Sequence, residues 1–375
     1  MQSHQIPPAD PGRPAPAGAS ERDQSLWGWV GIAANRNSGI GRGLRSVHRL
    51  VAALRRVGLG AEIAWTPEAR AALVSHSAAD PRCRCLIAVG GDGTVSALIN
   101  EGPSVPLTVL PAGTENLVAQ HFSLGRDPKV LAGLIAAGRP VRVDLGRAAE
   151  RRFLLMVGFG FDADIVTRHH QARVSRLGLI RPTSRLAYVR PILQSSLSYR
   201  FPRISVRIAD PGTQEVMTGT TVFIFNMPRY ALGLPFAPTA REDDGWLDLV
   251  VFRDPGPLQA LYYLWKVFRG THLDQPGVFH RRVKKLVVTA DEPIPVQIDG
   301  DPGGYVLPAD LAPRESPIDA AGESQPGDSG GIGHAADSAA GWTVEVLPAA
   351  LDVIAPTDCR TRPTRVPLAS EGLAR

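Results

Sequence analysis

Gly90-Gly91-Asp92-Gly93-Thr94 follows the apolar run Cys85–Val89 and precedes a helix predicted over Val95–Gly102. Glycines where a buried strand ends let bare backbone N–H groups approach an anion, and a helix start adds to that attraction. Asp92, set among them, would be repelled by a phosphate unless it addressed a metal ion, a water or a hydroxyl. The combination points to a nucleoside triphosphate site in which the carboxylate handles Mg²⁺ or positions a phosphoryl acceptor. For this motif alone, a plain glycine-rich turn between strand and helix is the alternative.

Other segments share its character. Asn35-Arg36-Asn37-Ser38-Gly39 offers amides, a hydroxyl and a glycine turn to phosphate oxygens or a ribose, or is only a polar loop. Pro111-Ala112-Gly113-Thr114-Glu115-Asn116 repeats the design, a turn followed by a hydroxyl and an amide, with Thr114 alternatively a helix cap. Gly158-Phe159-Gly160-Phe161-Asp162-Ala163 places another acid beside glycines, although a glycine in a strand often marks only a bulge. Asp299-Gly300-Asp301 supplies two closely spaced carboxylates. One of them is suited to accepting a hydroxyl proton, unless both merely occupy a turn.

The elements that must position these loops change character along the chain. Strands are predicted at Trp29–Asn35, Ala61–Trp65, Cys85–Val89 and Leu107–Leu110, alternating with helices at Leu44–Val57, Pro67–Ser77 and Val130–Ala137. That alternation implies a parallel sheet covered by helices. Beyond Asp144 the pattern is β-rich, with strands at Phe153–Phe159, Ile204–Ile208, Val216–Phe225, Leu247–Phe252, Val283–Thr289 and Val296–Ile298, and helices at Arg185–Ser196 and Leu258–Phe268. The expected organisation is a flexible tail over 1–24, an α/β domain over 25–146, a largely antiparallel domain over 147–356 and a tail over 357–375. Residues of about 308–340, rich in Ala, Gly, Ser, Pro and Asp, are expected to form a disordered insertion in the second domain.

Composition narrows the classes. The chain has 375 residues, 44% hydrophobic and 21% charged, with 41 basic and 36 acidic residues and a net charge of +5. This suits a globular protein of two domains and is too mild to argue for nucleic acid. No run approaches the roughly 18 apolar residues of a membrane span, and the Pro-rich start does not resemble a secretory signal. Cys83, Cys85 and Cys359 complete no zinc set, so a reduced, cytoplasmic protein is expected.

Taken in order, these motifs resemble the diacylglycerol kinase catalytic family, which includes the sphingosine and ceramide kinases and their bacterial relatives. The resemblance rests on residues 35–39, 90–94, 111–116 and 158–163, on Ala237-Pro-Thr-Ala-Arg-Glu-Asp-Asp-Gly-Trp-Leu-Asp248 and on Ile298-Asp-Gly-Asp301. It implies an α/β plus β fold of the lipid-kinase and NAD-kinase type, an α/β nucleotide domain followed by a β-sandwich domain. ATP with Mg²⁺ would lie in the cleft between them. It implies nucleotide contacts from Asn35, Asn37, Ser38, Gly39, Thr66, Gly90, Gly91, Asp92, Gly93, Thr94, Gly113, Thr114 and Asn116. It also implies a structural Mg²⁺ site at Asp244, with backbone carbonyls of Arg241 and Trp246, where a simple acidic hairpin is the alternative. The family's base is the Glu after Asp-Gly; here that position is Asp301, with Asp299 the runner-up and Asp92 a third catalytic candidate. Arg36, Ala97 and Leu117 depart from the family's Pro, Glu and Asp.

The resemblance implies a kinase acting on a diacylglycerol-like or sphingoid-like membrane lipid. Rival readings are an NAD kinase, which shares the glycine loop, and a catalytically silent lipid- or nucleotide-binding regulator. Between Ile165 and Ala209 there are nine arginines and no acid, so residues 168–207 suit an anionic membrane surface or form a solvated basic face. Leu258, Leu261, Tyr262, Trp265 and Phe268 recur at helical spacing and read first as core, second as an interfacial face. The expected protein is cytoplasmic and peripherally membrane-associated, with a homodimer left open.

Overall fold

The computed structural model describes residues 28–34, 42–173, 188–212, 215–308, 311 and 341–356. The expected tails, the insertion apart from Pro308 and Leu311, and the loop carrying Asn35, Asn37, Ser38 and Gly39 lie outside them.

The first half forms β1 (Trp29–Ala34), α1 (Arg42–Arg56), β2 (Gly60–Ala64), α2 (Pro67–Ala79), β3 (Cys83–Gly90), α3 (Asp92–Asn100), β4 (Leu107–Pro111), α4 (Leu117–His121) and α5 (Pro128–Ala137). The four strands pair in parallel in the order β2-β1-β3-β4. Parallel strands are covered on both faces, which is why β3 reads as an unbroken apolar run with Cys85 to Val89 wholly buried. Val47, Leu50 and Leu54 face this sheet from α1 at helical spacing. Thr66 and Asp127 cap α2 and α5, each followed by a proline whose missing N–H costs nothing in a first turn.

The second half forms β5 (Pro140–Ala148), β6 (Arg151–Phe153), β7 (Met156–Gly160), α6 (Phe161–Arg173), α7 (Val189–Ser198), β8 (Ile204–Ile208), β9 (Val216–Gly219), β10 (Thr221–Phe225), β11 (Leu247–Phe252), α8 (Pro257–Arg269), β12 (Val278–Val283), β13 (Lys285–Ala290), β14 (Ile294–Ile298), β15 (Asp301–Val306) and β16 (Trp342–Ile354). One antiparallel sheet runs β12-β11-β10-β7-β14-β15. The other strands join the first half's sheet, because β16 pairs with β5 and β13 and reaches β4 at Val353–Leu107. A single sheet therefore runs through both halves. Its β8, β13 and β16 portion packs on the six-stranded sheet around Val157, Phe159, Val206, Ile224 and Val288.

The runs read as single strands at Phe153–Phe159, Val216–Phe225 and Val283–Thr289 each cross from one sheet to the other, and most of β12 lies outside the last of them. Leu154-Leu155 separates β6 from β7, Thr220 separates β9 from β10, and Lys284 separates β12 from β13. Such corners are built where a strand leaves one layer of a sandwich for the other. An apolar run buried throughout carries no period that would reveal the corner. The backbone N–H groups released there need new acceptors. Asp210 accepts from Lys284 and Lys285, Phe252 O accepts from Thr220, and Asp299 accepts from Leu154, Leu155 and Met156.

Candidate active site

The glycine loop and the Pro-Ala-Gly-Thr-Glu-Asn loop leave adjacent parallel strands and lie back to back. A Cβ at Gly113 would fall 2.5 Å from Gly91 Cα, so glycine there is a condition of their approach. Asn116, buried with φ of 54°, accepts the Gly113 N–H at 2.8 Å and donates to the Gly113 carbonyl at 2.8 Å. Its amide therefore shapes the loop. Thr94 Oγ1 and Cβ crowd the position a Gly90 side chain would take. Thr114 is exposed, and Thr66 Oγ1 accepts the Ala69 N–H at 3.2 Å at the start of α2.

Asp92 sits at the first residue of α3 with its carboxylate turned to the other loop. One oxygen accepts the Leu117 N–H and the other the Val118 N–H, each at 3.0 Å. Burial pushes its carboxyl above the usual range, and these N–H bonds pull it back. The side chain that the sequence reading gave to Mg²⁺ or an acceptor thus ties α3 to the amino end of α4, which favours a carboxylate.

Asp299 and Gly300 are the central residues of a two-residue hairpin between β14 and β15, both at positive φ, 51° and 85°. An Asp-Gly pair is suited to this turn, whose twist matches the flanking strands. The turn sends its two acids in different directions. Asp299 is buried and bonds the three N–H groups of the Leu154–Met156 corner at 2.8–3.0 Å. Burial pushes it up to about 6, while those bonds and the nearby Asp92 act in opposite senses. Asp301 points to the glycine loop, where a Cβ on Gly93 would lie 3.2 Å from its Oδ2. Among the described residues its carboxylate has no hydrogen bond to protein. Burial raises it above the usual carboxylate range, opposed by the charges of Arg151, His170 and Arg173.

A further, partly buried acid stands beside these, and the sequence reading did not select it as a site residue. Asp162, near the start of α6, accepts from Tyr230 Oη at 3.0 Å and Gln297 Nε2 at 3.2 Å, and burial pushes it up to about 6. Gln297 Oε1 in turn accepts the Gly300 N–H at 2.9 Å, linking Asp162 to the Asp-Gly-Asp turn. The glycines before Asp162 were the available signal; its partners, far away in sequence, were not legible. An acid whose folded value lies above its unfolded 3.8 holds its proton more tightly when folded. Its contribution to stability is therefore lost as pH rises between about 4 and 6. Asp162→Asn keeps an oxygen acceptor for both donors and removes that loss. We expect it to raise stability near pH 7.5 by up to about 3 kcal/mol and to match the parent below about pH 4. Thermal melts at the two pH values check this, and a variant less stable at the higher pH would refute it.

The acidic loop expected to hold a structural Mg²⁺ is arranged differently. Asp244 pairs with the Arg282 guanidinium and accepts the Trp246 N–H at 3.1 Å, while Asp243 pairs with Arg241 at 3.3 Å. No cluster of three acidic, His or Cys side chains suited to a metal occurs among the described residues. A guanidinium seated on the one carboxylate of the set already supplies the positive charge. Asp244 with the carbonyls of Arg241 and Trp246 would hold a divalent cation only with the Arg282 guanidinium moved off the carboxylate. Buried Asp144 secures this loop by accepting from Gly245 N and Ala349 N.

Of the arginines between 168 and 207, Arg168 pairs with Asp164 at 2.6 Å and Arg173 acts on Asp301 in the site. Arg190, Arg200, Arg203 and Arg207 are exposed, and Arg176, Arg181 and Arg185 lie outside the described residues.

Residues 30–148 match the diacylglycerol kinase catalytic domain, and residues 156–355 match the YegS C-terminal NAD kinase beta sandwich-like domain. A relative named diacylglycerol kinase from Mycobacterium tuberculosis is 29% identical over 295 residues, covering 76% of this chain and 92% of the relative. Another of that name from Staphylococcus carnosus is 26% identical over 236 residues, covering 60% and 72%. A crystal structure of a diacylglycerol kinase from Bacillus anthracis superposes with a TM-score of 0.60 at 19% identity, covering 88% of this chain and 97% of that one. That likeness speaks for the two-domain fold.

Proposed function

The chain belongs to the diacylglycerol kinase family, a family of lipid kinases, and we propose that it transfers the γ-phosphate of ATP to a hydroxyl of a diacylglycerol-like or sphingoid-like lipid. The observation that carries this reading is the placement of Asp301 against Gly93. There a carboxylate that no hydrogen bond among the described residues engages faces a glycine loop able to receive a phosphate chain.

The backbone N–H groups of the glycine loop and the start of α3 receive the triphosphate, and Gly113 and Thr114 line the same approach. Mg²⁺ bound with ATP would neutralise phosphate charge. Asp301 accepts the proton of the lipid hydroxyl, and its raised carboxyl brings it nearer the working pH of a base. Arg151 and Arg173 bring positive charge to Asp301 and attract the transferring phosphoryl group. Asp92 and Asn116 are positioning residues that hold the two loops together. Lipid is reached from outside the bilayer, with the protein cytoplasmic and peripheral. Among the described residues no helix is long and apolar enough to cross a membrane. The exposed Arg190, Arg200, Arg203 and Arg207 suit anionic headgroups.

Incubation with labelled ATP, Mg²⁺ and a total lipid extract is expected to label a single lipid class, identified after chromatography. Labelling of added NAD instead would turn the assignment to an NAD kinase. Absence of turnover with retained nucleotide binding would favour a silent regulator.

A further inference from the structure

Helix α8 turns to solvent an apolar face that none of the described residues covers. Its buried residues, Tyr263 and Val267, are four apart and pack inward, with the Tyr263 ring 4.9 Å from that of Phe252. At 3.6 residues per turn the opposite side carries Leu258, Leu261, Trp265 and Phe268. These are 81%, 53%, 52% and 62% exposed, which corrects the first reading of this stripe as core. One exposed leucine needs no account, but four large apolar side chains on one helix face do.

The surrounding charge selects the occupant. From Pro255 to Leu273 there is no acidic residue. Lys266 Nζ lies 5.4 Å from the Tyr262 ring and 5.2 Å from the Trp265 ring, and the Arg269 guanidinium lies 5.8 Å from the latter. Leucine and phenylalanine along the face, aromatic rings at its edge and cations over those rings match the layers of an anionic bilayer surface. The position agrees. Phe223 and Phe252 project from the six-stranded sheet on the α8 side, and Phe223 contacts Tyr230, whose hydroxyl bonds Asp162 at the start of α6. The helix and Asp162 thus lie on one face of that sheet.

We propose that α8 is the element that docks the protein on an anionic lipid membrane, inserting Leu258, Leu261, Trp265 and Phe268 at the headgroup boundary. The choice of a bilayer rests on the lipid-kinase reading.

The test uses the full chain and vesicles of phosphatidylglycerol and phosphatidylcholine, with binding followed by co-sedimentation. Changing Leu258, Leu261, Trp265 and Phe268 together to Ser should weaken binding at least about 10²-fold, since each removes apolar area from the lipid. Melting temperature and turnover on a short-chain, detergent-dispersed acceptor should stay near wild type. Lys266→Gln with Arg269→Gln should cost about fivefold per cation at low salt, less as salt rises, and little on pure phosphatidylcholine. This pair also decides the matter if the fourfold variant does not fold. Equal vesicle binding by variants and wild type would overturn the proposal. So would a wild type that phosphorylates the dispersed lipid without binding vesicles. A change of oligomeric state with vesicle binding unchanged would assign the face to a second copy, against the proposal. Binding through α8 without phosphorylation of any lipid would sustain docking while the kinase reading fails.

Discussion

Asp301→Ala is expected to lower turnover by about 10²-fold or more, the scale of a lost general base, with little change in ATP affinity. The nucleotide is held by backbone groups of loops that this substitution leaves in place, so the loss should fall on kcat. Asp301→Asn should be nearly as poor, because an amide cannot accept the proton. Asp301→Glu restores a carboxylate of the length usual in the family and should retain substantial activity. Its extra methylene must be accommodated where Oδ2 already packs against Gly93, so acceptor preference should shift. The wild-type rate should rise with pH through a limb lying above the ordinary carboxylate range, because burial raises Asp301 despite Arg151, His170 and Arg173. Near-normal turnover in Asp301→Ala would remove this residue from the chemistry.

Asp299→Ala is expected to cost several kcal/mol of stability, enough to leave much of the protein unfolded near physiological temperature. Three backbone N–H groups would lose their acceptor, each worth about 1–3 kcal/mol when buried and unpaired, against a total stability of about 5–15 kcal/mol. Alanine also tolerates the positive φ of 51° poorly. Asp299→Asn should melt well above Asp299→Ala, because asparagine accepts that φ and keeps one oxygen for Leu155 and Met156. Thermal unfolding of the two variants separates the roles of the turn's two acids. If Asp299→Ala melts like wild type but is inactive, the base is Asp299, and the corner is held by something else.

What was legible in the sequence is what backbone chemistry decides within a few residues. A glycine at the end of a buried strand, a Thr-Pro or Asp-Pro helix start and an Asp-Gly hairpin pair act through their own φ and ψ. The loops at 90–94, 111–116 and 298–301 accordingly stand where they were expected. The α/β half was legible because its strands and helices differ in period. The corners at Leu154-Leu155, Thr220 and Lys284 were not, since a buried strand that changes sheets stays apolar throughout. Nor was the division of labour between Asp299 and Asp301. The acceptor role of Asp299 depends on N–H groups 143 to 145 residues away, and the orientation of Asp301 on Gly93 arriving from the other half. Asp162 shows the same limit, for its partners Tyr230 and Gln297 reach it from a loop and a strand far along the chain. On α8 the spacing marked a stripe, yet Tyr263 and Val267 made the opposite side apolar as well. Which side meets water depends on what lies beneath the helix, and that is supplied by Phe252 and Val278 of the sheet, through space and not along the chain.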